Sequence, residues 1–392
     1  MAIFDKFKEL DETRQAMEEN CSDFFNIVME DISSTTEAVV NGRKVILAGT
    51  NNYLGLTFNE ECIRASCLAV EKEGTGTTGS RMANGTFFGH VALENELSEF
   101  FDRSHTIVFS TGYVANLAIL STLVGSGEVI LLDADCHASI YDGCRLGGAE
   151  VIRFRHNDIG DLEKRLRRLE KRNTNVLIVV EGLYSMMGDR APLADIAALK
   201  NKYKAYLVVD EAHSLGVLGK NGRGLAEEAG VEESVDFVIG TFSKSLGAIG
   251  GFCSSNHPEL NLIRYASRPY IFTASSSPST IASTRTALRI MQEKPELQHR
   301  LWDNANLLYK RLKGLDLNVG PEAGPIIAIR YSNVEDAFRI WNGLLKRGIY
   351  VNMVLPPATP DGGALLRCSL SAALSTEQVE KIGDAFVLLN AE

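Results

Sequence analysis

The sequence predicts an α/β protein: a mostly parallel central sheet with helices on both faces, followed by a smaller C-terminal α+β domain. Three observations predict this. Short runs rich in Val, Ile and Leu recur between residues 106 and 239, each of strand length. Amphipathic stretches of helical length separate them. After about residue 280 the order changes to strand, helix, strand, strand, helix. Strands that are apolar throughout, rather than alternating, belong to sheets covered on both faces.

Residues 1–30 read as a helical arm or entry helix, and an N-terminal segment is placed at 1–45. The large domain is placed at 46–280. Its strands are expected at Thr106–Phe109, Glu128–Leu132, Val151–Phe154, Asn175–Val180, Ala205–Val209 and Asp236–Ile239. Helices are expected between them, as at Asp161–Lys171 and Leu193–Lys202. The C-terminal domain is placed at 281–392. There Pro325–Arg330 reads as a strand, and Ser332 with Glu335 forms a capping box. Phe338, Trp341, Leu344 and Leu345 share one helical face that stops at Gly348. Val351–Leu355 and Leu365–Ser369 follow as strands, and Ser375 with Gln378 opens a last helix.

The bulk composition narrows the function. The chain has 392 residues, 45% hydrophobic and 23% charged, enough for a sizeable core. Its net charge of -10 argues against non-specific nucleic-acid binding, which depends on neutralising phosphates. Seven dispersed cysteines show no CxxC pair and no Cys/His spacing suited to zinc, so free thiols in a reducing cytoplasm and no metal site are expected. The N-terminus has no apolar core with a cleavage site, so no signal peptide is expected. The longest apolar runs have strand length, far short of the roughly 18 residues that cross a bilayer.

Polar residues at the carboxyl ends of successive strands carry the chemistry, because open α/β sheets keep their ligands there. Lys244, in Thr241-Phe-Ser-Lys-Ser-Leu-Gly247, follows the strand at Asp236–Ile239. A neutral lysine amine forms imines with aldehydes, and the Thr241 and Ser243 hydroxyls suit a phosphate. A solvated surface lysine is the plainer reading of that segment alone. Asp210 ends another strand, with His213 three residues on. The pair could serve a protonated pyridine nitrogen and a ring hydroxyl, or simply cap a helix.

Ser110-Thr-Gly112-Tyr113 opens an apolar helix whose N-terminus favours phosphate, or it is an ordinary strand–helix turn. His137, past the strand at Glu128–Leu132, can stack on a flat ring or be a structural histidine. Ser185 could face the same site from the segment after Val180. Each signal is modest alone. Together they describe a site for pyridoxal 5′-phosphate (PLP): phosphate cradle, ring stacker, serine, Asp with His, and lysine, in chain order.

In that order the chain resembles the α-oxoamine synthase family of fold-type I PLP enzymes. The matching stretches are Asn51–Gly55, Gly74–Arg81, Ser110–Tyr113, His137–Ser139, Glu181–Met186, Asp210–Ser214, Thr241–Ser245 and Arg268–Thr273, which span nearly the whole chain. The resemblance implies an aspartate-aminotransferase-like fold in which residues 46–280 bind PLP. It implies that Lys244 holds PLP as a Schiff base, Asp210 meets the pyridine nitrogen and His213 the ring oxygen. His137 would stack on the ring. Gly112, Tyr113, Thr241 and Ser243 would hold the phosphate, joined by Thr273 of the other chain of a homodimer with shared sites. Asn52 and Arg367 would bind the substrate carboxylate. Lys244, His137, Asp210 and His213 are thus the expected catalytic set.

The wording of Gly74–Arg81, His137–Asp142, Asp210–Ser214 and Thr241–Ser245 resembles members that join L-serine to a long-chain acyl thioester. The implied reaction is a decarboxylative Claisen condensation giving 3-oxosphinganine, with acyl-CoA or an acyl carrier protein as donor. Related members use glycine or alanine with shorter acyl groups, as in glycine C-acetyltransferase and 8-amino-7-oxononanoate synthase. A transaminase of the same fold, or a catalytically silent relative acting as a binding subunit, would share part of the pattern. Three stretches depart from the family wording: Ser276-Ser-Pro-Ser279, Cys136, and Met82-Ala-Asn-Gly85. The first and last, with the Pro356–Pro360 loop, are expected to shape the acyl channel. A lipid-like product leaves peripheral membrane contact open.

Overall fold

The structure is a computed structural model. It describes the chain except residues 1, 2, 9, 13, 16–26, 173, 316, 356–358, 360–362 and 392. Much of the expected N-terminal helix and most of the Pro356–Pro360 loop therefore lie outside the described residues. Two compact units emerge. The larger contains Asn51–Asp303 and Ser371–Ala373; the smaller contains Met1–Thr50, Asn304–Leu370 and Leu374–Glu392.

The smaller unit begins with β1 (Glu37–Val40) and β2 (Arg43–Leu47), an antiparallel pair turning at Asn41-Gly42. These two residues have φ of 50° and 70°, the left-handed conformation that a two-residue hairpin needs.

The larger unit is built on seven strands. In chain order they are β3 (His105–Phe109), β4 (Val129–Asp133), β5 (Glu150–Phe154), β6 (Val176–Glu181), β7 (Tyr206–Asp210), β8 (Phe237–Thr241) and β9 (Gly251–Ser255). Across the sheet the order is β3-β9-β8-β7-β6-β4-β5. All run the same way except β9, which is antiparallel to both of its neighbours. The sheet is thus mostly parallel, and the six predicted strands form within a residue or two of their expected bounds. β4, β6, β8 and β9 are buried from end to end, which explains their lack of alternation.

Its helices include α1 (Glu60–Glu73), α2 (Phe88–Phe101), α3 (Gly112–Leu123), α4 (Ala138–Gly147), α5 (Ile159–Leu169), α6 (Leu193–Tyr203) and α7 (Pro278–Glu293). α7 packs along α1, with the Ser66 hydroxyl donating to the Ser279 carbonyl at 2.9 Å and Arg289 paired with Glu61 at 2.6 Å. That packing carries the larger unit on to Asp303, past the boundary expected near 280.

In the smaller unit β11 (Ile349–Tyr350) lies parallel to β2. A second sheet runs β10 (Ile326–Tyr331), β13 (Ala364–Ser369), β12 (Asn352–Val354) and is antiparallel throughout. α8 (Val334–Lys346) buries Trp341, Leu344 and Leu345, and the Trp341 indole donates to the Val351 carbonyl at 2.9 Å. Its N-cap is Asn333, whose side chain accepts from the Asp336 amide at 2.7 Å; the expected Ser332–Glu335 box does not form. Ser375 and Gln378 do form their box, each side chain accepting from the other's backbone amide at 3.1 Å, ahead of α9 (Thr376–Ala391).

Candidate functional site

Because β3, β4, β6, β7 and β8 share one direction, Phe109, Asp133, Glu181, Asp210 and Thr241 all end at the same sheet edge. A cavity of about 250 Å³ opens there. Gly112, Tyr113, His137, Asp210, His213, Thr241, Ser243 and Lys244 line it, as the sequence led one to expect. So do Asn116, Ser139 and Glu181, which sequence patterns alone did not single out. Ser185 is not among its lining residues; Glu181, at the strand end itself, faces the cavity instead. After Glu181 the chain turns back on itself through an isolated bridge between Leu183 and Arg190.

One end of the cavity is an anion cradle. Thr111 caps α3 by accepting from the Val114 amide at 3.0 Å, which orders the first turn. The amides of that turn, with the Ser243 hydroxyl, can supply donors to a phosphate, while the Thr241 hydroxyl donates to the Gly250 carbonyl at 2.8 Å and lies 2.9 Å from the Ser243 oxygen. Close packing makes glycine necessary here. A Cβ on Gly112 would lie 2.8 Å from the Thr241 Cβ, and one on Gly251 would lie 2.6 Å from the Gly112 Cα. The exposed Tyr113 ring stands at the rim, its hydroxyl donating to Asp142 on α4.

Charged groups sit in the middle. Asp210 is buried; its Oδ1 accepts from the Ala212 amide at 2.9 Å and its Oδ2 from the Asn116 side chain at 2.8 Å. His213 is buried too, with Nδ1 2.7 Å from the Tyr53 hydroxyl. Glu181 accepts from the His137 backbone amide. Burial, reinforced by the charge of Asp210, raises the Glu181 pKa well above the usual carboxyl value, although Lys244 opposes this. Partial burial of the His137 ring, helped by Lys244 and opposed by Asp210, lowers its pKa and keeps it neutral. Lys244 itself sits in the closed loop between β8 and β9.

Three expected residues lie elsewhere. Asn52 is buried in the larger unit, its amide donating to the Thr57 hydroxyl at 2.8 Å and its Oδ1 without a hydrogen-bond partner. Thr273, half-buried, follows the one-turn helix Arg268–Ile271 and does not line this cavity. Arg367 is buried on β13 of the smaller unit, where it donates to the Ser369 hydroxyl at 2.8 Å.

The donor set suits PLP. A helix N-terminus with the Ser243 hydroxyl beside it fits a phosphate, a buried carboxylate fits a pyridinium, and a lysine fits an aldehyde. The buried Asn116 Oδ1, which lacks a partner, leaves an acceptor on the cavity wall that a bound group can use.

Residues 43–386 match the family model "Aminotransferase class I and II". The chain is 57% identical to a serine palmitoyltransferase of Caulobacter vibrioides over 97% of this chain and 95% of the relative. A solved serine palmitoyltransferase from Sphingomonas wittichii is 49% identical and superposes with a TM-score of 0.97, covering 100% of this chain and 98% of that one. A solved SPT carrying PLP as the internal aldimine is 48% identical, again with a TM-score of 0.97 and full coverage of both chains.

Proposed function

The chain belongs to the class I and II aminotransferase family, and we propose that it is a PLP-dependent acyltransferase joining L-serine to a long-chain acyl thioester. The products are 3-oxosphinganine, the free thiol and carbon dioxide, the first step of sphingolipid synthesis. The observation that carries this reading is the cavity that gathers Lys244, Asp210, His213, His137 and the Gly112–Thr241 cradle.

Bound PLP supplies an aldehyde for the amino group and a ring that takes up charge at the amino acid's Cα. Lys244 would anchor it, and its amine in the neutral form would be the base for the Cα proton of serine. Asp210 pairs with the ring nitrogen, and His213 serves the ring oxygen. His137 stacks on the ring and donates from Nε2 to the bound amino acid. Gly112, Tyr113, Thr241 and Ser243 hold the phosphate. Asn52 and Arg367 would serve the substrate carboxylate. We assign Ser185 to the shell around the cofactor rather than to the cavity wall.

We further place the protein as a homodimer in which Thr273 of one chain serves the other's phosphate. Phe88, Tyr265 and Phe272, exposed by 82%, 70% and 74% in the single chain, support a covered face. Coenzyme A is the simplest donor. No helix among the described residues is long and apolar enough to cross a membrane. The cytoplasmic assignment rests on the described cysteines all being free thiols.

The test is product mass spectrometry with serine, glycine and alanine against acyl-CoAs of several lengths. Serine with a long-chain donor should give the dominant product. Preference for glycine or alanine would overturn the assignment, as would a keto acid formed from serine without a donor.

A further inference from the structure

Asn116 lies one turn into α3, directly behind Gly112, and is 3% exposed. Its side-chain nitrogen donates to Asp210 Oδ2 at 2.8 Å and to the Ser139 hydroxyl at 3.0 Å. A carboxylate only accepts, so the nitrogen must face Asp210, and both of its hydrogens are used. Ser139, 1% exposed, continues the path. Its hydroxyl is 2.7 Å from His137 Nδ1, and its backbone amide donates to the same nitrogen at 3.2 Å.

A backbone amide cannot accept. His137 Nδ1 must therefore present its lone pair, and the ring proton of the neutral imidazole sits on Nε2. The Ser139 hydroxyl, already accepting from Asn116, turns its own hydrogen to Nδ1. All donors then point one way along this path, from Asn116 through Ser139 to His137. Asp210 is held by the other hydrogen of the same Asn116 nitrogen. Asn116 and Ser139 are both buried, which makes the link between them costly to leave unmade.

We infer that Asn116 and Ser139 are positioning residues. Together they fix His137 as an Nε2–H donor and tie its setting to that of Asp210. The ring stacker and the partner of the ring nitrogen are thus aligned by one hydrogen-bond path rather than separately. This deepens the PLP reading and rests on it for the identity of the group being served. The tautomer itself is a property of the protein alone. Glu181 adds to the same fixation by accepting from the His137 amide, so the backbone and the ring of that histidine are both held.

The experiment joins histidine-ring nitrogen NMR with kinetics on the full chain. Ring nitrogens are observed in 15N-histidine protein with and without PLP, and His137→Asn assigns the signal. The parent should show His137 protonated on Nε2 only, in both forms. Ser139→Ala should admit the second tautomer and raise KM for serine roughly tenfold, the scale of one lost buried hydrogen bond, with a smaller change in kcat. Asn116→Ala should do the same and also move the pH midpoint of the bound cofactor's visible band, because Asp210 loses a donor. The double variant should cost no more in KM than the worse single one.

A proton on Nδ1 in the parent protein overturns the inference. So does strict additivity of the two substitutions. Should Asn116→Ala fail to fold, the parent spectrum and Ser139→Ala still decide. If the parent takes up no PLP, the functional reading fails, while the tautomer result stands or falls by itself.

Discussion

Glu181 and Asp210 stand side by side across the parallel strands β6 and β7, paired in register, and both are buried in the wall of one cavity. Burial, with the charge of Asp210 beside it, favours the protonated form of Glu181. Asp210 accepts from Asn116 and from a backbone amide, which suits an anion. Glu181 carries the raised pKa and is the neutral member.

A proton held by Glu181 in the folded state has a consequence for stability. Its folded pKa lies above the ordinary value of 4.5, so its contribution is complete below that pH and lost as pH rises toward the folded value. Glu181→Gln keeps an acceptor for the His137 amide without a titratable charge. The variant should gain stability relative to the parent as pH rises. Urea midpoints at acidic and alkaline pH test this; a deficit of constant size at every pH would contradict it.

Lys244→Ala should remove the visible band of the bound cofactor and leave no lysine for borohydride to trap. Turnover should fall by about 10²- to 10⁴-fold, the usual weight of a positioned proton-transfer group. Mass spectrometry after reduction reads the first effect, and single-turnover kinetics the second.

Gly112→Ala should act chiefly on cofactor binding. The new Cβ would lie 2.8 Å from the Thr241 Cβ and 2.9 Å from its hydroxyl, so the cradle must open. The dissociation constant for PLP should rise roughly tenfold or more. Helix content should be unchanged by circular dichroism, since alanine favours a helix. An unchanged dissociation constant would remove the cradle from the site.

His156 predicts an alkaline limit. Nδ1 is 2.8 Å from Asp133 and Nε2 2.7 Å from Asp189. Burial alone would lower its pKa, but the two carboxylates outweigh burial and push it up to about 10. The folded value exceeds the ordinary 6.5, so its stabilisation is full below 6.5 and lost as pH rises through about 10. His156→Gln should melt lower than the parent at acidic and neutral pH, with the gap closing near 10. Thermal melts across that range check it.

Much of this was legible from residues alone. Continuous apolar runs mark six strands, and after four of them the expected polar residues line the cavity: Tyr113, His137, Asp210 with His213, and Lys244. β9 is not legible because Gly251-Phe-Cys-Ser-Ser255 lacks β-branched aliphatic residues and opens on the second of a glycine pair, so it reads as a loop. Its burial comes from being flanked by two strands, which no local pattern records. Asn333 displaced Ser332 as a cap because the two neighbours are chemically equivalent candidates, and one residue of register decides. Asn116 and Glu181 were missed for another reason. Their importance lies in partners 94 and 44 residues away, Asp210 and the His137 amide, and only the folded sheet brings these together.

The antiparallel β9 does more than fill the sheet. It begins beside the end of β8, so the loop carrying Lys244 is pinned at its base, with the Phe242 amide donating to the Gly250 carbonyl at 3.0 Å and the Ala248 amide to the Phe242 carbonyl at 2.9 Å. In the proposed role of cofactor anchor, the Lys244 amine would travel no farther than its own flexible stem allows. Its effective concentration at the reacting carbon would then stay high, so that no diffusing amine would compete on equal terms. The pinned loop would thus keep the anchor within reach of the carbon it serves.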